Sequence, residues 1–173
     1  MSWPSSMREA ISVGGVFADP VSAFALEAST YASGFASSMY PGRDVPDLSG
    51  LCGQAPRGIY FAMPCPPACE LDLAFGGGAF PDGDETAPDD GWIGSSGTSS
   101  ATPQVAAVVA LLLAKARATN LSLDPARVKD ILTRTAKPVT RGRNALGFSA
   151  ATGHPNVACG YGLVDAEAAL NQI

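Results

Sequence analysis

The apolar positions of this 173-residue chain change period near its middle. Before residue 76 they come in short runs. AISVGGVF (10–17) is rich in small and branched apolar residues and reads as a buried strand, with glycines that allow close backbone approach. GIYFAM (58–63) reads as a second strand stopped by Pro64, and 71–75 as a short third one. The stretch 21–32 is mixed and supports no assignment. Residues 33–53 carry Pro41, Gly42, Pro46 and Gly50 and read as turns. Residues 76–97 read as one long, acidic, glycine-rich loop, a length that in compact domains is usually functional or disordered.

Helical spacing then takes over. A helix is expected from Ser99 or Pro103 to Ala118, apolar on nearly every face and therefore wholly buried. A second has Asp124 as N-cap and Pro125 at its first position, with Val128, Ile131, Leu132 and Thr135 on one face. A third spans 164–171, with Ala166, Ala169 and Leu170 facing inward. Strands followed by helices fit an α/β layered domain, and no internal repeat interrupts it.

Composition narrows this further. A hydrophobic content of 46% against 16% charged residues suits one domain, 1–173, with a substantial core. The net charge of -5, without a basic stripe, argues against nucleic acid as a partner. The longest unbroken apolar run, 105–114, is too short to cross a bilayer and ends at Lys115, so no membrane partner is expected. MSWPSSMREA lacks the basic and apolar regions of a secretory signal, so the chain's location is unknown from these residues.

Four cysteines permit two disulfides without showing any. CPPAC could close a small loop through Cys65 and Cys69. A zinc set of Cys65, Cys69, His154 and Cys159 matches no usual ligand spacing, and buried free thiols are the simpler reading for Cys52 and Cys159. Asp82, Asp84, Glu85, Asp89 and Asp90 could ligate calcium. An EF-hand register would put Ala87 and Ile93 at its sixth and twelfth positions, so a solvated acidic loop is the better reading. No cofactor is expected, and a structural calcium is assignable to no residue.

The chemistry concentrates in IGSSGTSSATPQVAAVVALLLAKA (93–116). A helix N-terminus presents unpaired N–H groups and a positive partial charge. The oxyanion of acyl transfer needs such an environment. Gly97 permits a tight turn beside it. Ser99 could then attack with its hydroxyl while its own N–H binds the oxyanion. Capping is the ordinary role of SGTSS taken alone.

Further stretches shift that balance. GTSSATPQVAAVVALL resembles the nucleophile motif of subtilisin-like serine proteases, matched at Gly97, Thr98, Ser99, Ala101, Pro103, Val105 and Ala106. GYGLVDAEAAL (160–170) resembles that family's closing segment, and LDPARVKDILTRTAKPV (123–139) the helix between them. SWPSSMREAISVGGVF and the SGFASS…VPDLSG region are similar to earlier segments, in order. The resemblance implies a subtilisin-like layered α/β fold with a mainly parallel sheet flanked by helices, its N-terminal part missing. It also implies serine endopeptidase chemistry with Ser99 as nucleophile, supported by Gly97, Thr98 and Pro103. Ser100, Gln104 and Ser96 depart mildly from the motif, and 76–94 looks like an insertion.

The family's order is Asp, His, Ser, yet the one histidine here, His154, follows Ser99 and reads as a turn residue. No asparagine precedes Asn120, so the side-chain oxyanion donor is missing as well. The expected partners are a peptide or protein substrate and the N-terminal half of the protease domain. Without that half, strand edges and apolar surface should lie uncovered, and the chain alone should be inactive. The alternative is a non-catalytic, protease-derived binding or scaffold module. Secretion is suggested by the family only. The sedolisin branch, which shares Gly-Thr-Ser, fits the closing segment less well, and no Gly-x-Ser-x-Gly elbow supports a lipase.

Overall fold

The computed structural model describes residues 3–54, 61–75 and 87–173. The described strands are β1 (Val13–Asp19), β2 (Ala25–Ala28), β3 (Phe35–Ala36), β4 (Asp44–Val45), β5 (Leu48–Leu51), β6 (Phe61–Pro64) and β7 (Trp92–Ser95). The described α-helices are α1 (Glu70–Phe75), α2 (Thr98–Ala118), α3 (Pro125–Thr135) and α4 (Ala166–Leu170).

The central sheet runs β2-β1-β5 and is mixed. β1 pairs with β5 in parallel, Val13 opposite Leu48 through Val16 opposite Leu51, and with β2 antiparallel, Val16 opposite Ala28 through Asp19 opposite Ala25. Side chains alternate across a strand. Val13 therefore joins the core of Leu48, Val105, Val108, Leu112, Ile131 and Leu132 beneath the helices. Val16 faces the opposite core of Ala28, Val139, Ala150, Ala158 and Cys159. The fold is α/β, with helices on one face of the sheet and the irregular segment after α3 on the other.

Two seams close the layers. Residues 162–164 run along β5, with Ser49 donating to the Gly162 carbonyl at 2.8 Å and Val164 to the Ser49 carbonyl at 2.9 Å. Buried Asp47 binds Arg43 through both oxygens, Lys129 at 3.0 Å and the Ser12 amide at 2.7 Å. This carboxylate ties the start of β5 to α3.

Several expectations change. Leu71–Phe75 is helical, not a strand. The Leu-Asp-Leu alternation is inverted: Leu71 and Leu73 are exposed, while Asp72 is fully buried and caps the amides of Ala68 and Gly91. β3, β4 and β5 lie inside the turn-rich region 33–53. β5 is a short strand whose Gly50 lets α2 approach, since a Cβ there would meet the Ala101 carbonyl oxygen at 2.6 Å. β7 occupies the end of the expected long loop and pairs antiparallel with β6 across the intervening α1, Phe61 opposite Ser95. Residues 58–60 of the expected second strand, and Asp82, Asp84 and Glu85, lie outside the described residues.

Helix α2 is not wholly buried. Ser100, Ala101, Val105, Val108, Leu112 and Ala116 face inward, whereas Ala106, Ala110 and Leu111 are exposed. By length and composition it could cross a membrane, a property that the unbroken 105–114 run understates. Here its apolar side packs on β1, β5 and α4. α3 matches its expected capping, with Asp124 accepting from the Arg127 amide at 2.7 Å. α4 is shorter than the expected 164–171 and has a cap the sequence reading did not name, Asp165 accepting from the Ala168 amide at 2.9 Å.

Candidate functional site

The opening of α2 is built by a glycine that no other residue replaces comfortably. Gly97 has φ 119° and ψ 176°, a backbone conformation that L side chains rarely adopt. A Cβ on it would meet no atom within 4 Å, so the need for glycine lies in the backbone and not in crowding. No side chain caps the helix. Its first hydrogen bonds run from the Ser100 and Ala101 amides to the Gly97 carbonyl, at 3.0 and 3.3 Å. The Thr98 and Ser99 amides precede that ladder, at the positive end of a 21-residue helix.

Ser99 is exposed at the second position of α2. Pro103 stands four residues on and has no N–H, so the Ser99 carbonyl lacks its usual intrahelical donor. Side chains add bonds to the carbonyls on either side of it. Thr102 Oγ1 donates to the Thr98 carbonyl at 2.8 Å, and Gln104 Nε2 to the Ser100 carbonyl at 2.8 Å.

Two polar clamps then fix this turn against the end of β5. Gln104 accepts from the Leu51 amide through Oε1 at 3.0 Å and donates to the Leu51 carbonyl through Nε2 at 2.8 Å. Ser96 Oγ accepts from the Gly53 amide at 2.7 Å. Ser29 Oγ donates to the Gly53 carbonyl, tying in the segment after β2. Sequence reasoning saw Gln104 and Ser96 only as tolerated variants. An amide at the seventh position of an apolar helix was the signal available, because such a group needs partners. The Gly97–Ser99 turn thus sits beyond the carboxyl end of a parallel strand, where ligands bind in open α/β sheets.

A cleft of about 370 Å³ opens beside it, lined by Ile11, Ser12, Val13, Ser33 and Phe35 below Thr98 and Thr102. Thr98 and Thr102 lie on its wall; Ser99 is one step around the helix and does not line it. A second, apolar groove continues along α2 between Ile11, Val13, Thr102, Val105, Ala106 and Val109.

Among the described residues no histidine lines the cleft beside Ser99. His154 is exposed and meets Tyr161 edge-on, ring centroids 5.6 Å apart. It precedes Pro155, which with Asn156 and Tyr161 walls a different cleft, that of Arg43, Asp47 and Lys129. The zinc set of the sequence reading does not assemble: Cys159 is buried beside Asn156, with no contact to Cys65 or Cys69. Among the described residues no three His, Cys, Asp or Glu side chains converge as metal ligands. Burial pushes the Cys159 thiol up to about 11 and raises that of Cys52, so both keep their protons at neutral pH.

Comparison with known proteins agrees with this geometry. The model of the family described as the subtilase family matches residues 1–162. Fervidolysin from Fervidobacterium pennivorans, a keratinolytic enzyme related to subtilisin, superposes with a TM-score of 0.61 at 19% identity, over 98% of this chain and 20% of that one. A lanthipeptide protease superposes with a TM-score of 0.62 at 20% identity, over 99% of this chain and 44% of that one. The chain thus spans less than half the length of either structure. No curated protein matches the sequence.

Proposed function

The chain belongs to the subtilase family, and on that premise we propose that it carries the nucleophile portion of a serine endopeptidase site. One observation carries the reading: Ser99 is exposed at the mouth of α2, next to amides left outside the helical ladder and a glycine held at φ 119°. In this role the Ser99 hydroxyl adds to the carbonyl carbon of a peptide bond. The carbonyl oxygen becomes an oxyanion, held by the Ser99 amide and the helix dipole. Collapse of that intermediate expels the amine, leaves an ester on Ser99, and water hydrolyses the ester.

The first step needs a base to take the serine proton, and the amine needs that proton to leave. No described residue stands where it could do so. In this reading the base, its carboxylate and a second oxyanion donor are supplied by polypeptide other than the described residues, and the isolated chain is expected to show negligible peptidase activity. The clamps through Gln104 and Ser96 keep the turn in attacking geometry until that polypeptide is present.

Fluorophosphonate labelling mapped by mass spectrometry tests this. The isolated chain is expected to label at background and to leave casein intact. Joined to the aspartate- and histidine-bearing half of a subtilase domain, it is expected to label at Ser99, and Ser99→Ala is expected to lose the label. Casein cleavage by the isolated chain, abolished by Ser99→Ala, overturns the need for an external base. Labelling at another serine overturns the role of Ser99. The placement of His154 against Tyr161, where Pro155 borders the cleft of Arg43, Asp47 and Lys129, favours one other reading, a non-catalytic binding module, and a joined chain that never labels selects it.

A further inference from the structure

Two of the four cysteines are only partly buried, and they lie together. Cys65 follows β6 and Cys69 precedes α1, separated by Pro66, Pro67 and Ala68. The loop turns back on itself: the Cys69 amide donates to the Pro66 carbonyl at 3.1 Å, and Ala68 holds φ at 59°. Their side chains are close enough to share a hydrogen bond. We propose that Cys65 and Cys69 are a redox pair that closes into a disulfide and staples the loop between β6 and α1.

The surroundings make the two thiols unequal. The Asp72 amide donates to Cys69 Sγ at 3.5 Å, and no such donor is seen at Cys65 among the described residues. Cys65 is opposed in ionising by desolvation, by Cys69, and by the carboxylates of Asp72 and Asp90. Cys69 is therefore the attacking sulfur. Its thiolate displaces one sulfur of a low-molecular-weight disulfide, forming a mixed disulfide and releasing one small thiolate. Cys65 then attacks Cys69 Sγ in that mixed disulfide and releases the second. Two protein thiols are oxidised to one disulfide. The small disulfide is reduced to two thiols, which take up the two protons.

The loop is well placed for the bond to matter. The Cys65 amide donates to the Gly91 carbonyl at 2.9 Å, and the Gly91 amide donates to Asp72 Oδ2 at 3.3 Å. Gly91 adjoins β7, and β7 leads into the Ser96–Ser99 turn. The staple thus fixes the far end of the β6–β7 pair that delivers the candidate nucleophile. The inference does not depend on Ser99 being catalytic. Cys52 and Cys159 are fully buried on the central sheet, at 0% exposure, and take no part.

The test uses the whole folded chain, equilibrated with glutathione disulfide, quenched with N-ethylmaleimide and mapped by peptide mass spectrometry. The expected result is loss of two hydrogen masses, a linked peptide joining Cys65 to Cys69, and Cys52 and Cys159 alkylated only after unfolding. Cys65→Ser is expected to trap a glutathione adduct on Cys69, whereas Cys69→Ser leaves Cys65 mostly free. Hydrogen exchange of the Gly91 amide slows on oxidation. A chain that stays fully alkylatable at Cys65 and Cys69 in glutathione disulfide alone overturns the proposal. So does one carrying separate glutathione on each cysteine, or one linking either of them to Cys52 or Cys159.

Discussion

At the scale of single residues, the helix mouth depends on backbone more than on contacts. Gly97→Ala places a Cβ in open space but forces an L residue to φ 119°. A loss of roughly 1–2 kcal/mol is expected, read as a lower urea midpoint at unchanged slope. Ser99→Ala removes an exposed hydroxyl and should leave stability within about 0.5 kcal/mol of the original, so its effect on labelling is separable from folding. Cys159 behaves differently. Its thiol ionises near 9 when the chain is unfolded and near 11 when buried. The unfolded state therefore gains thiolate first, and stability falls as pH rises from about 9 to about 11. Denaturation midpoints across that window should fall less steeply in Cys159→Ala. The turn and helix start at Gly97 were legible from residue type, although capping is the ordinary use of such serines; the role of Ser99 came from the family resemblance and not from spacing. The partners of Gln104 were not legible, because they lie 53 residues away in sequence.

At the scale of elements, the helices with sequence-local caps were the ones read correctly. Asp124 and Asp165 cap α3 and α4 because a carboxylate three residues ahead of an amide finds it without tertiary help. Asp165→Ala should cost about 1 kcal/mol. The Ala168 amide and then Lys137 hold the Asp165 carboxyl below the ordinary carboxylate range. A lowered value in the folded state means that this contribution is present at neutral pH. It is lost as pH falls below about 4, so acid titration of wild type against Asp165→Asn should converge there. α1 was misread because its acidic Asp72 is buried while Leu71 and Leu73 are exposed: Asp72 answers the amides of Ala68 and Gly91, and that demand is tertiary. Gln104→Leu should loosen α2 from β5 by about 1–3 kcal/mol, since the Leu51 amide and carbonyl would lose their partner.

At the scale of the whole molecule, the exposed apolar flank of α2 is the main feature. β2 reaches only Val16 on its side of β1. Beyond it, on that edge, Ser29 donates to the Gly15 carbonyl and no strand pairs Val13 among the described residues. The groove of Ile11, Val13, Ala106 and Val109 lies beside that edge. Uncovered apolar surface next to a free strand edge promotes self-association. Leu111→Lys, at a position 51% exposed, should reduce light scattering of the isolated chain while leaving its melting temperature nearly unchanged.

The family was legible from motifs spread in order along most of the chain. Local chemistry was enough to settle the turn at Gly97, the helix behind it and the capped helices after it. Each of these rests on neighbours within about one helical turn. Tertiary structure decided which face of α2 is covered, which glycine lets α2 touch β5, and that Asp72 rather than its leucines points inward. It also decided that His154 meets Tyr161, beside a cleft that neither Thr98 nor Ser99 lines. Those outcomes depend on contacts between residues far apart in the chain, and a linear pattern carries no record of which distant groups will meet.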